Sequence, residues 1–215
     1  MIPQTVIRLS SKIKVKSPLI LPKSTLYSTK CKIPGKIEVP QKYSEESTDA
    51  DLILFVGYSN EPDLNYNAYA SFCLQHGSSG RPMVGYIIYN AAKLVIEKQP
   101  LEFNLNITAH EFLHVLGFNL RLFPSFSKTS QGGDVLYKDN NGKYFLRGDT
   151  LIAQAKTHFG CENITMLPLE DEEIEDTIGN HFESTVFGND IMVPSAKTGY
   201  RLSKFSLSVL QDSGW

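Results

Sequence analysis

The sequence contains no apolar run close to the ~20 residues that a helix needs to cross a bilayer. It has 3 cysteines, an odd number that allows at most one internal disulfide and excludes a small disulfide-stapled scaffold. Its net charge of −2 at pH 7 argues against a general nucleic-acid binder. The residues after Met1 lack the basic and apolar regions of a secretory signal, which predicts either a cytosolic chain or part of a longer protein.

The composition is otherwise that of a folded domain. Hydrophobic residues make up 41% and charged residues 20% of the 215 positions, so the chain can bury a substantial core. Residues 1–48 carry an excess of lysine and arginine, interleaved with proline and aliphatic residues. We expect this segment to be irregular and extended, with solvated lysines, rather than a binding arm.

Three apolar runs in the first half indicate strands of a sheet. Residues 51–58 and 83–89 predict buried strands, and residues 68–75 predict either a strand or a short helix. Proline and glycine are disfavoured in the middle of a sheet, so Pro82 and Gly85 predict an edge position for the strand at 83–89.

Helix signals occur in the middle of the chain and near its end. Thr108 has the chemistry of an N-cap, and Glu111 follows at the spacing of a capping box, so residues 108–118 predict a helix that Gly117 ends. Further predicted elements are a hairpin at 134–147, a helix at 150–158 and a final helix at 203–211 capped by Ser203.

The central helix contains the motif H-E-x-x-H, formed by His110, Glu111 and His114. Residues four apart lie on the same helix face, so both imidazoles can bind one zinc ion. Zinc lowers the pKa of water to about 7, and a neighbouring glutamate can take the proton and pass it to a leaving amine. The apolar residues around the motif favour a metal site, because burying these polar groups without partners is costly.

A catalytic zinc takes three protein ligands and leaves one position open. One group of zinc peptidases places a glycine and then a third histidine at fixed distances after the motif. Gly117 stands at the glycine position, but position 120 is leucine. From the residues alone the third ligand stays open among two downstream histidines and two glutamates, His158, His181, Glu170 and Glu183, with His158 expected to be a surface residue.

Five ordered sequence blocks resemble the leishmanolysin family of surface and secreted zinc endopeptidases. The blocks are HEFLHVLGF (110–118), AKTHFGC (155–161), LEDEE (169–173), GNH (179–181) and DIM (190–192). Residues 49–56, 68–73 and 80–85 are similar to the family's strand-forming blocks. The resemblance therefore covers nearly the whole chain and is weakest before residue 48 and in 119–148.

The resemblance implies an α/β, metzincin-like catalytic domain with a twisted mixed sheet, an active-site helix and a mostly irregular lower subdomain that holds a long insertion. It implies one Zn²⁺ per chain held by His110, His114 and His181, with Glu111 as general base and acid and Met192 as the Met-turn support beneath the metal. The third ligand would lie 61 residues beyond its expected position, since 181 − 120 = 61. The implied reaction is hydrolysis of peptide bonds in protein or peptide substrates, held in extended form by the strand at 83–89.

The resemblance also divides the chain into three segments. These are the sheet and zinc-binding helix at 1–118, an insertion subdomain at 119–180, and the third ligand, Met-turn and final helix at 181–215. It implies a disulfide between Cys31 and Cys73.

The family has further sequence on both sides, so we expect a partial chain whose full-length protein is extracellular or at the cell surface and associates with membranes. The alternative is a catalytically inactive, truncated surface protein that keeps the fold for adhesion.

Overall fold

The computed structural model describes residues 1–21, 33–34, 37, 46–94, 100–172, 178–195 and 199–215. They form two compact units, Met1–Leu116 and Gly117–Trp215. Unit 1 contains α1 (Ile2–Ser10), β1 (Ile20–Leu21), β2 (Thr48–Asp49), β3 (Ile53–Ser59), β4 (Ala68–Gln75), β5 (Pro82–Asn90) and α2 (Leu101–Leu116). Unit 2 contains a 3-10 turn (Phe123–Ser125), β6 (Leu136–Lys138), β7 (Tyr144–Leu146), α3 (Asp149–Phe159), β8 (Leu167–Pro168), α4 (Ser184–Phe187) and α5 (Lys204–Asp212). The predicted α/β class is confirmed, whereas the three-segment division stays a prediction.

The main sheet of unit 1 has the strand order β3-β5-β4. β5 runs parallel to β3 and antiparallel to β4, so the sheet is mixed. The prediction that residues 83–89 form an edge strand was wrong, because β5 lies between the other two strands. Its burial agrees with this position, since every residue of β5 except Tyr86 is buried. Residues 68–75, for which strand and helix were both open, form a strand at the edge of the described sheet.

Pro82 and Gly85 occupy positions where a central strand tolerates them. Pro82 is the first residue of β5, where the missing N–H removes least from the ladder. A Cβ on Gly85 would lie 2.3 Å from Cγ1 of Val115 and 3.1 Å from the carbonyl oxygen of Ser71. The glycine therefore allows α2 to pack directly onto the centre of the sheet. Gly85 thus marks a close contact between sheet and helix, and not the edge of the sheet.

The extended conformation predicted for residues 1–48 was wrong at its start, because Ile2–Ser10 form α1. The proline at position 3 stands in the first turn of the helix, where its missing N–H has no intrahelical partner to lose. Thr5 and Leu9, one turn apart, are the buried residues of α1. The Arg8 guanidinium donates to both carboxylate oxygens of Glu102 in α2, at 2.9 and 3.0 Å.

The helix that carries the H-E-x-x-H motif begins at Leu101, well before the predicted start at Thr108. The capping-box prediction was therefore wrong. Thr108 lies inside α2, and its Oγ1 donates to the carbonyl oxygen of Asn104 at 2.8 Å. Threonine tolerates a helix interior in this way, by bonding to the carbonyl four residues earlier. The predicted end is confirmed, because α2 ends at Leu116, before Gly117.

Unit 2 contains the predicted hairpin and the two predicted helices. Ser203 is the N-cap of α5, with its Oγ accepting from the Phe205 N–H at 2.9 Å. The cap of α3 comes from elsewhere in the chain. Its N-cap residue is Gly148, and the Asp212 carboxylate accepts from the N–H groups of Thr150 (2.8 Å) and Leu151 (3.0 Å).

Two smaller predictions concern cysteines and membrane spans. Cys73 takes part in a disulfide, and Cys161 has a free, exposed thiol. The predicted partner of Cys73, Cys31, lies outside the described residues. Within the described part of the chain, no helix is both long enough and apolar enough to cross a membrane.

Candidate metal centre

The imidazoles of His110 and His114 converge on one side of α2. Their Nε2 atoms lie 2.9 Å apart, the ring centroids are 4.6 Å apart, and the ring planes cross at 86°. His114 is buried and His110 is half-buried. Zinc binds imidazole nitrogen at about 2.0–2.1 Å, so two nitrogens this close can share one ion. The donor set and its spacing therefore fit a zinc ion.

Glu111 lies between the two histidines in sequence and is 5% exposed. Its Oε2 atom has no hydrogen-bond partner among the described residues. Burial raises the pKa of this carboxyl from 4.5 to about 8. A buried carboxylate oxygen without a partner is costly unless a cation or a donor approaches it. This cost agrees with a cation site beside the two histidines.

Two buried hydroxyls, from Tyr89 of β5 and Thr108 of α2, lie at the contact between the sheet and the helix. The Tyr89 hydroxyl lies 2.9 Å from Thr108 Oγ1, which itself donates to the carbonyl of Asn104, so the tyrosine donates to the threonine. Burial raises the pKa of Tyr89, and the charge of Glu111 raises it further. The pair ties β5 to α2 one turn before Glu111. No sequence signal pointed to it, because the two residues come from different elements.

In unit 2, His181 is buried and its backbone is held on both sides. Its carbonyl oxygen accepts from the Glu170 N–H at 3.0 Å. The preceding residue, Asn180, accepts from the Leu120 N–H through its side chain at 2.8 Å. Gly179 has a positive φ of 76°, a conformation that favours glycine and turns the chain just before the histidine.

Met192 is fully buried and lies next to the His181 segment. The N–H of Phe182, the residue after the histidine, donates to the carbonyl oxygen of Met192 at 2.8 Å. The N–H of Met192 donates to Oδ1 of Asp190 at 2.7 Å. Burial raises the pKa of Asp190, against the hydrogen bonds from Ser203, Ser206 and backbone N–H groups, which lower it. The structure thus joins the two segments that the sequence singled out in this unit.

The other candidate ligands, Glu170, Glu183 and His158, make contacts within their own part of the chain. Glu170, Asp171 and Glu183 have carboxylate oxygens within 4.8 Å of one another. However, Glu170 Oε1 accepts from the N–H groups of Asp171 (3.2 Å) and Glu172 (3.1 Å), and so closes its own loop. Glu183 is the N-cap of α4 and accepts from the Thr185 N–H at 3.1 Å. His158 is exposed, as predicted. Its ring packs against the ring of Phe205, with 5.2 Å between the ring centroids.

An H-E-x-x-H helix packed beneath a mixed sheet is typical of one broad class, the zinc-dependent peptidases. The family model described as Leishmanolysin, a peptidase family, matches residues 1–215. The chain therefore belongs to the leishmanolysin family, as the sequence blocks predicted.

Individual relatives are similar at modest identity. A protein named "Leishmanolysin" from Leishmania major is 27% identical over an alignment of 186 positions that covers 84% of this chain and 29% of the relative. A "Leishmanolysin-like peptidase" from Drosophila pseudoobscura pseudoobscura is 25% identical over an alignment of 184 positions that covers 69% of this chain and 27% of the relative. A "Ciliated left-right organizer metallopeptidase" from Xenopus laevis is 28% identical over an alignment of 182 positions that covers 78% of this chain and 25% of the relative. The chain thus spans about a quarter to three tenths of these relatives' length.

Proposed function

We propose that this chain carries the zinc-binding catalytic region of a metalloendopeptidase, with one Zn²⁺ per chain. The observation that carries the proposal is the convergence of the His110 and His114 Nε2 atoms, 2.9 Å apart, on the helix that also carries the buried carboxylate of Glu111. Membership of the leishmanolysin family supports the choice of zinc and of peptide hydrolysis.

His181 is our proposed third ligand, and Met192 the residue that supports the metal site. Three observations support these roles. The imidazole of His181 is buried, its backbone is fixed by the bond from Glu170, and its segment bonds to Met192 through Phe182. The competing carboxylates of Glu170 and Glu183 are engaged in local backbone hydrogen bonds.

When bound, zinc supplies a Lewis acid that polarises a peptide carbonyl and makes water more acidic. The residues of the chain then divide the remaining work. Glu111 accepts a proton from water on its carboxylate and passes it to the amine that leaves. A neighbouring divalent cation favours the ionised carboxylate, so it reverses the effect that burial alone has on the Glu111 pKa.

The substrate-holding role implied for the strand at 83–89 does not fit β5, which has a strand on each side, so β4 offers the edge for an extended substrate. β4 pairs with β5 on one side, and within the described ranges no strand pairs with its other side. An extended peptide that adds to such an edge is bound through its main chain, which tolerates many side-chain sequences. We therefore propose protein or peptide substrates. The extracellular or cell-surface location and the membrane association of the full-length protein stay predictions.

The test compares the chain with its Glu111→Gln variant. Glutamine keeps the size of the side chain but cannot accept and return a proton at pH 7. We expect hydrolysis of a casein-like substrate by the zinc-loaded wild-type chain and at least a ~100-fold lower rate in the variant, in keeping with the weight of general-base catalysis. Zinc content, measured on the same samples, is expected to be equal. Equal hydrolysis rates would contradict the role of Glu111.

A further inference from the structure

A buried carboxylate, Asp190, lies two residues before Met192 and is 3% exposed. Its Oδ1 atom accepts from the Met192 N–H at 2.7 Å and from the Ser206 hydroxyl at 2.6 Å. Its Oδ2 atom accepts from the Ser203 hydroxyl. The catalytic roles proposed above leave this buried acidic group without a task.

The two serines belong to the start of α5. Ser203 is the N-cap of that helix and uses its oxygen to accept from the Phe205 N–H while it donates its proton to Asp190. Ser206 lies in the first turn and is fully buried. The carboxylate therefore joins the N-terminus of α5 to the turn that contains Met192.

The backbone of the same turn is fixed by further bonds. The Ile191 N–H donates to the Arg201 carbonyl at 2.9 Å, and the Arg201 N–H donates to the Asn189 carbonyl at 3.0 Å. On its other side the turn accepts the Phe182 N–H at the Met192 carbonyl, 2.8 Å away. A continuous path of hydrogen bonds thus runs from α5 through Asp190 and Met192 to the residue after His181.

We propose that Asp190 is a positioning residue that fixes the Met192 turn and, through Phe182, the backbone that carries His181. The inference rests on the proposed role of His181 as a zinc ligand. Outer groups that orient metal ligands are worth about 10–100-fold in metal affinity. Asp190 acts through two backbone bonds, so its effect belongs at the lower end of this range.

The experiment measures zinc affinity by chelator competition, with melting temperature, in three variants of the chain. Asp190→Ala removes all three accepted bonds, and we expect about tenfold weaker zinc binding. Asp190→Asn can accept at only one side-chain atom, and we expect a smaller loss, of at least about threefold. The matched control is Asp212→Ala, which removes a carboxylate that accepts two backbone N–H groups of α3. We expect it to melt at a lower temperature and to bind zinc as the wild type does.

These arms separate a positioning role from a purely structural one. Zinc affinity unchanged in both Asp190 variants, or lowered equally in the control, would overturn the proposal. If Asp190→Ala does not fold, the zinc affinity of Asp190→Asn decides between the two roles.

Amide hydrogen exchange in the metal-free chain keeps this inference distinct from the proposed function. We expect faster exchange at the Phe182 and Met192 N–H groups in the Asp190 variants and no change there in Asp212→Ala. Unchanged exchange at both amides would refute the positioning role even if the wild-type chain binds zinc. Faster exchange in a chain that binds no zinc would instead refute the metal site and leave the positional role in place.

Discussion

Replacing Glu111 by glutamine is expected to stabilise the metal-free chain, increasingly so as the pH rises. Burial raises the pKa of Glu111 to about 8 in the folded state, from an ordinary 4.5. Between these two values the folded chain binds more protons than the unfolded chain, so its free energy of unfolding falls as pH rises. Each pH unit costs about 1.4 kcal/mol, so the wild-type chain loses about 5 kcal/mol as an upper bound. Glutamine does not titrate and avoids this loss.

The assay is urea-induced unfolding with a chelator present, at pH 5 and pH 8. We expect nearly equal free energies of unfolding at pH 5 and a difference of several kcal/mol in favour of the variant at pH 8. Every other ionisable group is common to the two proteins, so the difference between them isolates Glu111. An equal difference in the free energy of unfolding between the two proteins at pH 5 and at pH 8 would refute the claim that burial raises the pKa of this carboxyl. With zinc added, the advantage of glutamine is expected to shrink, because a cation stabilises the ionised glutamate.

Two further substitutions test the packing of α2 on the sheet and the capping of α3. Gly85→Ala places a Cβ 2.3 Å from Val115 Cγ1, so we expect a loss of about 1–3 kcal/mol from overpacking, measured by urea unfolding. Gly77→Ala, which meets nothing within 4 Å, is the matched control, and equal losses in the two would contradict the close approach of α2 to β5. Asp212→Ala removes the acceptor for two N–H groups at the start of α3, and we expect a loss of about 0.5–2 kcal/mol. An unchanged melting temperature would show that water replaces this cap.

Local patterns were sufficient to predict most elements of the fold. The runs at 51–58 and 83–89 became β3 and β5, and the cap at Ser203 became the start of α5. What failed was the interpretation of single residues whose role depends on distant neighbours. Gly85 looks the same in sequence whether it faces solvent at an edge or the side chain of Val115 under a central strand. Thr108 matches a capping pattern because that pattern considers only the residues that follow it. It does not consider the carbonyl of Asn104, four residues earlier, to which Thr108 donates.

The candidate site divides in a similar way. His110 and His114 follow from helix geometry, because a spacing of four residues places them on one face, and Glu111 follows from the motif that they form. From the residues alone His181 was one of four candidate ligands, and only the resemblance to leishmanolysins singled out His181 and Met192, since no local spacing connects them to the motif. The roles of Asp190 and Tyr89 could not be predicted from local patterns, because their hydrogen-bond partners, Ser206 and Thr108, become neighbours only when the chain folds.

The most direct test of the account is the zinc content of the purified, folded chain, measured by elemental analysis together with two histidine variants. We predict one zinc per wild-type chain, the same content in His158→Ala, and loss of zinc in His181→Ala. His158 is the matched control because it is an exposed histidine of the same unit. Wild-type zinc content in His181→Ala would contradict the proposed third ligand. A folded wild-type chain without zinc would contradict the catalytic account and favour an inactive protein that uses the fold for adhesion.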